Sequence, residues 1–304
     1  RGSLVSNHRK QQNQKNSIGS NQSLTENNPT MTSMRLCDHV QLPPDEARLL
    51  PRGWQILGSA ILVSVPNVLE DRAEAIGNAL LTMYPRCRTV LWTIGVSGAF
   101  REPHCEVIAG VHETETVHKE NGCYFKLDVA KIMFSQGNLR ERMRMGDICD
   151  GEVVLDMFAG IGYFSIQIAV HSHPEMVIAI ELNPTSHHYL QENIKINKVD
   201  DIVLPIHGDC AVKSPEGTAD RVIMGYLDSS QEQLIVGMLA AREGGILHYH
   251  EATPTVLTYQ RPIERIREAA RIAGRSVEIL ECRTIKKYAP GVVHVVVDVV
   301  VDAV

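Results

Sequence analysis

Three short stretches set polar residues where apolar runs end. In "VVLDMFAGIGYFS", Asp156 stands at the end of a predicted strand, followed by Gly160, Gly162 and a helix starting near Tyr163. Glycines at such a turn let a ligand approach the backbone closely, and the helix N-terminus adds unpaired N–H groups. The spacing is GxG, with Ser165 where the third glycine of a dinucleotide site would stand. "MVIAIELN" then ends in Glu181, a carboxylate placed to accept both hydroxyls of a ribose. "IHGDC" brings Asp209 and Cys210 to the end of a third strand, where a side chain can meet an adenine amino group. Polar groups at the carboxyl ends of successive strands converge on one crevice. Acidic contacts to ribose and adenine without the third glycine favour S-adenosylmethionine over a dinucleotide.

The elements that must hold these groups follow from pattern. From residue 151 onward, strands alternate with helices predicted over 163–170, 184–197, 231–242 and 261–273, which argues for a doubly wound sheet with a largely parallel core. The end differs. "SVEILECRTIKKYAPGVVHVVVDVVV" offers two long strands around Ala289-Pro290-Gly291 and no room for a crossover helix, so a terminal antiparallel hairpin is expected. Residues 35–118 read as a small α/β unit that supports or positions a substrate. There "WQILGSAILVSVP" forms an apolar strand run stopped by Pro66, and "EDRAEAIGNALLTMY" has helical spacing. Asn121-Gly122 signals a hairpin, after which "LDVAKIMF" is expected to turn helical. Residues 1–34, rich in Asn, Gln and Ser, should be disordered or an expression remnant, with Met31 or Met34 as the true start.

Composition narrows the class. A chain of 304 residues with 44% hydrophobic and only 5% aromatic residues can bury a Val/Ile/Leu/Ala core of the kind that suits covered parallel strands. Seven cysteines without a CxxC pair fit neither a zinc knuckle nor a disulfide framework, and point to a reducing, cytoplasmic setting without a metal. No apolar run approaches the ~20 residues of a membrane span. The net charge of −6 does not advertise nucleic acid, yet its distribution does. Residues 261–287 carry eight bases against four acids, and residues 126–144 five against two, so two basic segments could form one phosphate-binding face.

"ENGCYFKLDVAKIMFSQGNLRERMR", "VVLDMFAGIGYFSIQIAV", "RVIMGYL", "GGILHYHE" and "KKYAPGVVHVVVDV" together resemble the tRNA wybutosine-synthesizing enzymes that transfer a 3-amino-3-carboxypropyl group. Close relatives of that family are the tRNA guanine-37 N1-methyltransferases. The resemblance covers roughly 119–304 well and the preceding unit loosely. It implies a class I methyltransferase-like, Rossmann-like catalytic domain over 119–304 that binds S-adenosylmethionine. By motif it adds Ser135 and Arg142 to the cofactor contacts Asp156, Gly160, Gly162, Glu181, Asp209 and Cys210. Arg142 suits the methionine carboxylate, because a guanidinium makes charge-assisted bonds to it.

The stretch "ADRVIMGYLDSS" separates the two branches. Enzymes that methylate base nitrogens often set an Asn or Asp followed by prolines at this loop, whereas Met224-Gly225-Tyr226-Leu227 cannot make those amide contacts. Tyr226 offers a face on which a base could stack. "DSSQEQL" lacks the His expected there from other members, which leaves that position without a catalytic assignment. The resemblance implies a wyosine-type guanine derivative at position 37 of tRNA, beside the anticodon, as acceptor, and methylthioadenosine as the second product. His248 and His250 in "LHYHE", on one face of a strand, are candidates for proton transfer. Arg140, Arg144, Lys286 and Lys287 are candidates for RNA contact. A monomer without membrane or metal partners is expected. Two alternatives stay open: a guanine-37 N1-methyltransferase, and a non-catalytic tRNA-binding protein that keeps the cofactor.

Overall fold

The computed structural model describes residues 35–98 and 100–303, so the expectation for residues 1–34 lies outside the described residues. After a short helix α1 (Pro44–Ala47), strands β1 (Trp54–Leu57), β2 (Ala60–Val63), β3 (Thr89–Ser97) and β4 (Glu102–Gly110) form a four-stranded sheet in chain order. Helix α2 (Ala73–Met83) links the parallel pair β2 and β3, burying Ile76 and Leu80 against Ile61, Val90 and Trp92. The apolar run over 54–65 is two antiparallel strands rather than one. Gly58 turns the chain at φ +54, where an added Cβ would meet the Val117 carbonyl.

Strands β5 (Glu115–Glu120) and β6 (Cys123–Asp128) form the expected hairpin. Asn121 and Gly122 both take positive φ, as a two-residue turn of the twisted hairpin type requires. The helix expected over 127–134 does not form. The Asp128 carboxylate instead accepts from the Ala130 N–H, and its carbonyl accepts from Lys131 and Ile132. A side chain that satisfies backbone donors locally offers an alternative to the helix ladder. Ile132 and Phe134 are then free to enter the core as extended chain.

Helix α3 (Leu139–Gly146) leads into a seven-stranded sheet. Strands β7 (Val153–Asp156), β8 (Met176–Glu181), β9 (Val203–His207), β10 (Ala219–Met224) and β11 (Ala241–Pro254) are parallel; β12 (Arg275–Ala289) and β13 (Val292–Ala303) are the antiparallel hairpin. Their spatial order is β12-β13-β11-β10-β7-β8-β9. Helices α4 (Ser165–His171), α5 (Pro184–Asn197), α6 (Cys210–Lys213), α7 (Gln231–Ala240) and α8 (Gln260–Ala273) complete the doubly wound, class I methyltransferase-like arrangement expected from the sequence. The chain winds from β7 to one edge and returns to β10 on the other side. That reversal opens a crevice at the carboxyl ends of β7 and β10.

Buried charge fixes α3 to this sheet. Asp298 on β13, 4% exposed, accepts from His248 Nδ1 at 2.7 Å and Arg283 Nη2 at 2.8 Å, with Arg144 of α3 at 3.3 Å. Arg221 Nη1 lies 2.7 Å from His248 Nε2 and can only donate, so the neutral imidazole carries its hydrogen on Nδ1 and gives it to Asp298. Burial opposes ionisation of Asp298, but the His248 bond and the two arginines outweigh it and hold the carboxyl well below the usual carboxylate range. Stability from this group is therefore fully present above the ordinary carboxylate pKa of about 4 and is lost as pH falls below it. Asp298→Ala should cost about 1–3 kcal/mol at neutral pH, because it leaves the buried His248 N–H unpaired and removes the partner of two partly buried arginines. It should also flatten the acid limb of a stability-against-pH curve measured by denaturant unfolding. A variant with the wild-type curve would remove Asp298 from this role.

Candidate cofactor and acceptor cavity

The crevice is a cavity of about 750 Å³. Four walls meet there. The turn after β7 gives Phe158, Gly160, Tyr163 and Phe164; the ends of β8 and β9 give Glu181, Asn183, Asp209 and Cys210; the end of β10 gives Gly225, Tyr226 and Leu227. The fourth wall comes from three separate segments: Ser135 and Arg142 before and within α3, Lys286 to Tyr288 on β12, and Phe100 with Arg101 from the β3–β4 turn.

Glu181 is clamped by the backbone. Its Oε2 accepts from the Gly160 N–H and its Oε1 from the Asn183 N–H, each at 2.7 Å. Each carboxylate oxygen keeps a further lone pair, enough to accept a pair of vicinal hydroxyls. Burial raises the pKa of this group while these backbone donors oppose the rise. Asn183 also caps α5, accepting from the Thr185 and Ser186 N–H groups, so the strand end and helix start are locked together. Gly160 takes φ +58, and an added Cβ would strike the Tyr163 ring. That ring is itself anchored, its hydroxyl donating to the Met133 carbonyl at 2.6 Å.

Asp209 caps the short helix α6 by accepting from the Ala211 N–H at 2.9 Å. Burial pushes the Cys210 thiol up to about 12, so this residue meets a ligand as a thiol and an apolar surface, not as a nucleophile. In the loop after β10, Gly225 is held against Phe164, where a Cβ would stand 2.8 Å from the ring. The Tyr226 ring lies 5.5 Å from that of Phe158 at 33°, and the pair presents aromatic surface to the cavity.

Two predicted cofactor residues lie outside the lining. Asp156 is fully buried beneath the glycine turn, accepting from the Ser165 hydroxyl at 2.7 Å and the Phe158 N–H, and burial raises its pKa to about 6. Gly162, at φ +97, packs on Ile166 and Leu190. Both shape the turn from behind. His248 and His250 are likewise absent from the lining. His248 belongs to the Asp298 cluster. His250 pairs with His294 at 3.1 Å behind Phe164, its pKa pushed down to about 3 by burial and then by His248. Arg140 and Arg144 border a separate groove with Tyr259 and Arg283.

Arg142 lines the cavity, but most of its donors are spent. It is 2% exposed, and its Nε and Nη2 donate to Glu120 at 2.9 and 2.8 Å while Nη1 donates to the Ser135 carbonyl at 3.0 Å. Sequence reasoning missed Glu120, because nothing in "HKENG" marks that acid as the buried one. Phe100 and Arg101 also escaped it, since only the folded β3–β4 turn brings them over the crevice.

Residues 116–280 match the TRM5/TYW2 methyltransferase domain, and residues 38–114 match the TYW2 N-terminal domain. The chain belongs to the TRM5/TYW2 family. It is 49% identical over 247 residues to a tRNA(Phe) (4-demethylwyosine(37)-C(7)) aminocarboxypropyltransferase of Methanocaldococcus jannaschii, covering 81% of this chain and 96% of that protein. The crystal structure of M. jannaschii TYW2 in complex with AdoMet superimposes with a TM-score of 0.69 at 42% identity, over 83% of this chain and all of that one. That of P. horikoshii TYW2 in complex with MeSAdo gives 0.77 at 38% identity, over 87% and 96% of the two chains.

The Glu120–Arg142 pair yields a prediction. Arg142→Ala leaves a carboxylate buried without its partner and should destabilise the fold by about 3–5 kcal/mol. Urea unfolding of the variant against wild type measures it, and equal midpoints and slopes would refute the pairing.

Proposed function

We propose that this chain transfers the 3-amino-3-carboxypropyl group of S-adenosylmethionine to a wyosine-type modified guanine at position 37 of tRNA, releasing methylthioadenosine. One observation carries the choice of reaction: the base-facing end of the cavity is Gly225-Tyr226, without an amide or proline grip, in a chain matching nearly the whole length of a relative named for this transfer.

The cavity fits the cofactor chemically. Glu181 presents fixed acceptors for ribose hydroxyls, Gly160 lets the turn close against the Tyr163 ring, and Asp209 and Cys210 stand at the adenine end. Cationic groups from Ser135 onward and from β12 close the far end. When bound, the sulfonium supplies three electrophilic carbons, and displacement at the methionine Cγ rather than the methyl delivers the aminocarboxypropyl group. The protein selects among them by orientation, since in-line approach of the acceptor is required. Tyr226 with Phe158 offers the face on which the tricyclic base stacks.

A base in an anticodon loop is reached without opening a duplex. Lys287, exposed at the cavity, and Arg140, exposed at the separate groove, are placed to meet tRNA phosphates, giving a salt-sensitive, sequence-independent part of binding. Residues 35–118 act as the substrate-positioning unit and residues 119–304 as the catalytic one, working as a monomer in the cytoplasm. Phe100 and Arg101 support the first assignment. Seven free thiols suit a reducing compartment.

A second reading, methyl transfer to guanine 37, draws on the family's methyltransferase description. Reactions on precursor tRNA with S-adenosylmethionine labelled in the carboxyl carbon or in the methyl separate the two. Carboxyl label in the tRNA is expected. Methyl label there would establish methyl transfer instead, unmodified tRNA then testing guanine 37 as its acceptor, and neither label with the cofactor still bound would indicate a binding protein.

A further inference from the structure

Lys286 is a half-buried cation of the cavity wall. Among the described residues no carboxylate lies within ion-pair distance of it. Its ammonium donates to the Ser135 hydroxyl at 2.9 Å, while the carbonyl of the same residue is taken by Arg142. Gly137 makes that reach possible. An added Cβ there would stand 2.6 Å from both Cδ and Nζ of Lys286, so the lysine stem crosses the one position of the loop that has no side chain. The two acids of the lining, Glu181 and Asp209, accept from backbone N–H groups and neither pairs with Lys286. Half-buried, and beside Arg142 and Arg101, the ammonium has its pKa lowered first by burial and then by those two cations. Such a cluster becomes favourable only when an anion joins it.

We propose that Lys286, with Ser135, seats the α-carboxylate of the cofactor's methionine arm, and so sets which carbon of the sulfonium faces Tyr226. Arg142 then shapes this seat from behind, its guanidinium being held by Glu120. The proposal rests on the reading that S-adenosylmethionine occupies this cavity. A tRNA phosphate is the competing anion, and is disfavoured because the ammonium is half-buried against Ser135 inside the cavity, while Lys287 next to it is exposed.

Calorimetric affinities for S-adenosylmethionine and for methylthioadenosine, which lacks the arm, test the proposal without tRNA or turnover. Lys286→Met should weaken S-adenosylmethionine by roughly 10- to 100-fold, the range of a lost charge-assisted bond, and leave methylthioadenosine unchanged. Lys286→Arg should restore most of the loss. Gly137→Ala, which displaces the lysine stem without removing the charge, should reproduce the selective defect, and covers the case in which Lys286→Met fails to fold. Equal loss for both ligands, no loss for either, or a loss confined to tRNA affinity would each overturn the proposal. Because no group transfer is measured, the labelled-tRNA reactions succeed or fail independently of it.

Discussion

The wall that completes the cavity depends on buried charge. Helix α3 carries Arg142, Glu141 and Arg144, and each is matched by a group on another element: Glu120 on β5, Arg283 on β12 and Asp298 on β13. Desolvating so many ions is unfavourable unless every partner is present. The segment over 135–146 is therefore held in one place, and its loop residue Ser135 becomes a fixed point between Arg142 and Lys286. Apolar packing alone would hold a helix less specifically, because a hydrophobic face tolerates small slides.

The parallel core and the terminal hairpin were legible because their signals are local. Apolar runs of strand length, a glycine turn and a short Pro-Gly loop need no knowledge of distant residues. Glu181 could be placed for the same reason, since an acid that ends an apolar strand must stand at its edge. The failures come from side chains that take their partners within the fold. Asp156 reads like a cofactor ligand until Ser165 and the glycine turn cover it. His248 and His250 read like proton carriers until Asp298 and His294, brought alongside by β13, bury them. Lys286 reads as a candidate for RNA contact in "TIKKYAP" until Gly137 and Ser135 draw it inward. The misread helix at 127–134 was lost to one side-chain carboxylate, Asp128, satisfying the backbone before a ladder could start.

Two kinds of contact in the cavity divide the chemistry. On the proposed reading, those to Glu181 and Asp209 hold the nucleoside and are indifferent to which group leaves the sulfonium. Those around Ser135, Lys286 and Tyr226 would, on the same reading, decide where the arm lies and what the acceptor meets. A shared nucleoside seat with a changed arm seat is a short route between methyl and aminocarboxypropyl transfer, since orientation, not new bond-making machinery, selects the product.

The most direct measurement is a crystal structure of this chain with S-adenosylmethionine bound. The account predicts the carboxylate of the arm at the Lys286 ammonium and Ser135 hydroxyl, with the methionine Cγ turned toward the face of Tyr226. A cofactor whose methyl group faces Tyr226, with the carboxylate away from Lys286, would contradict it.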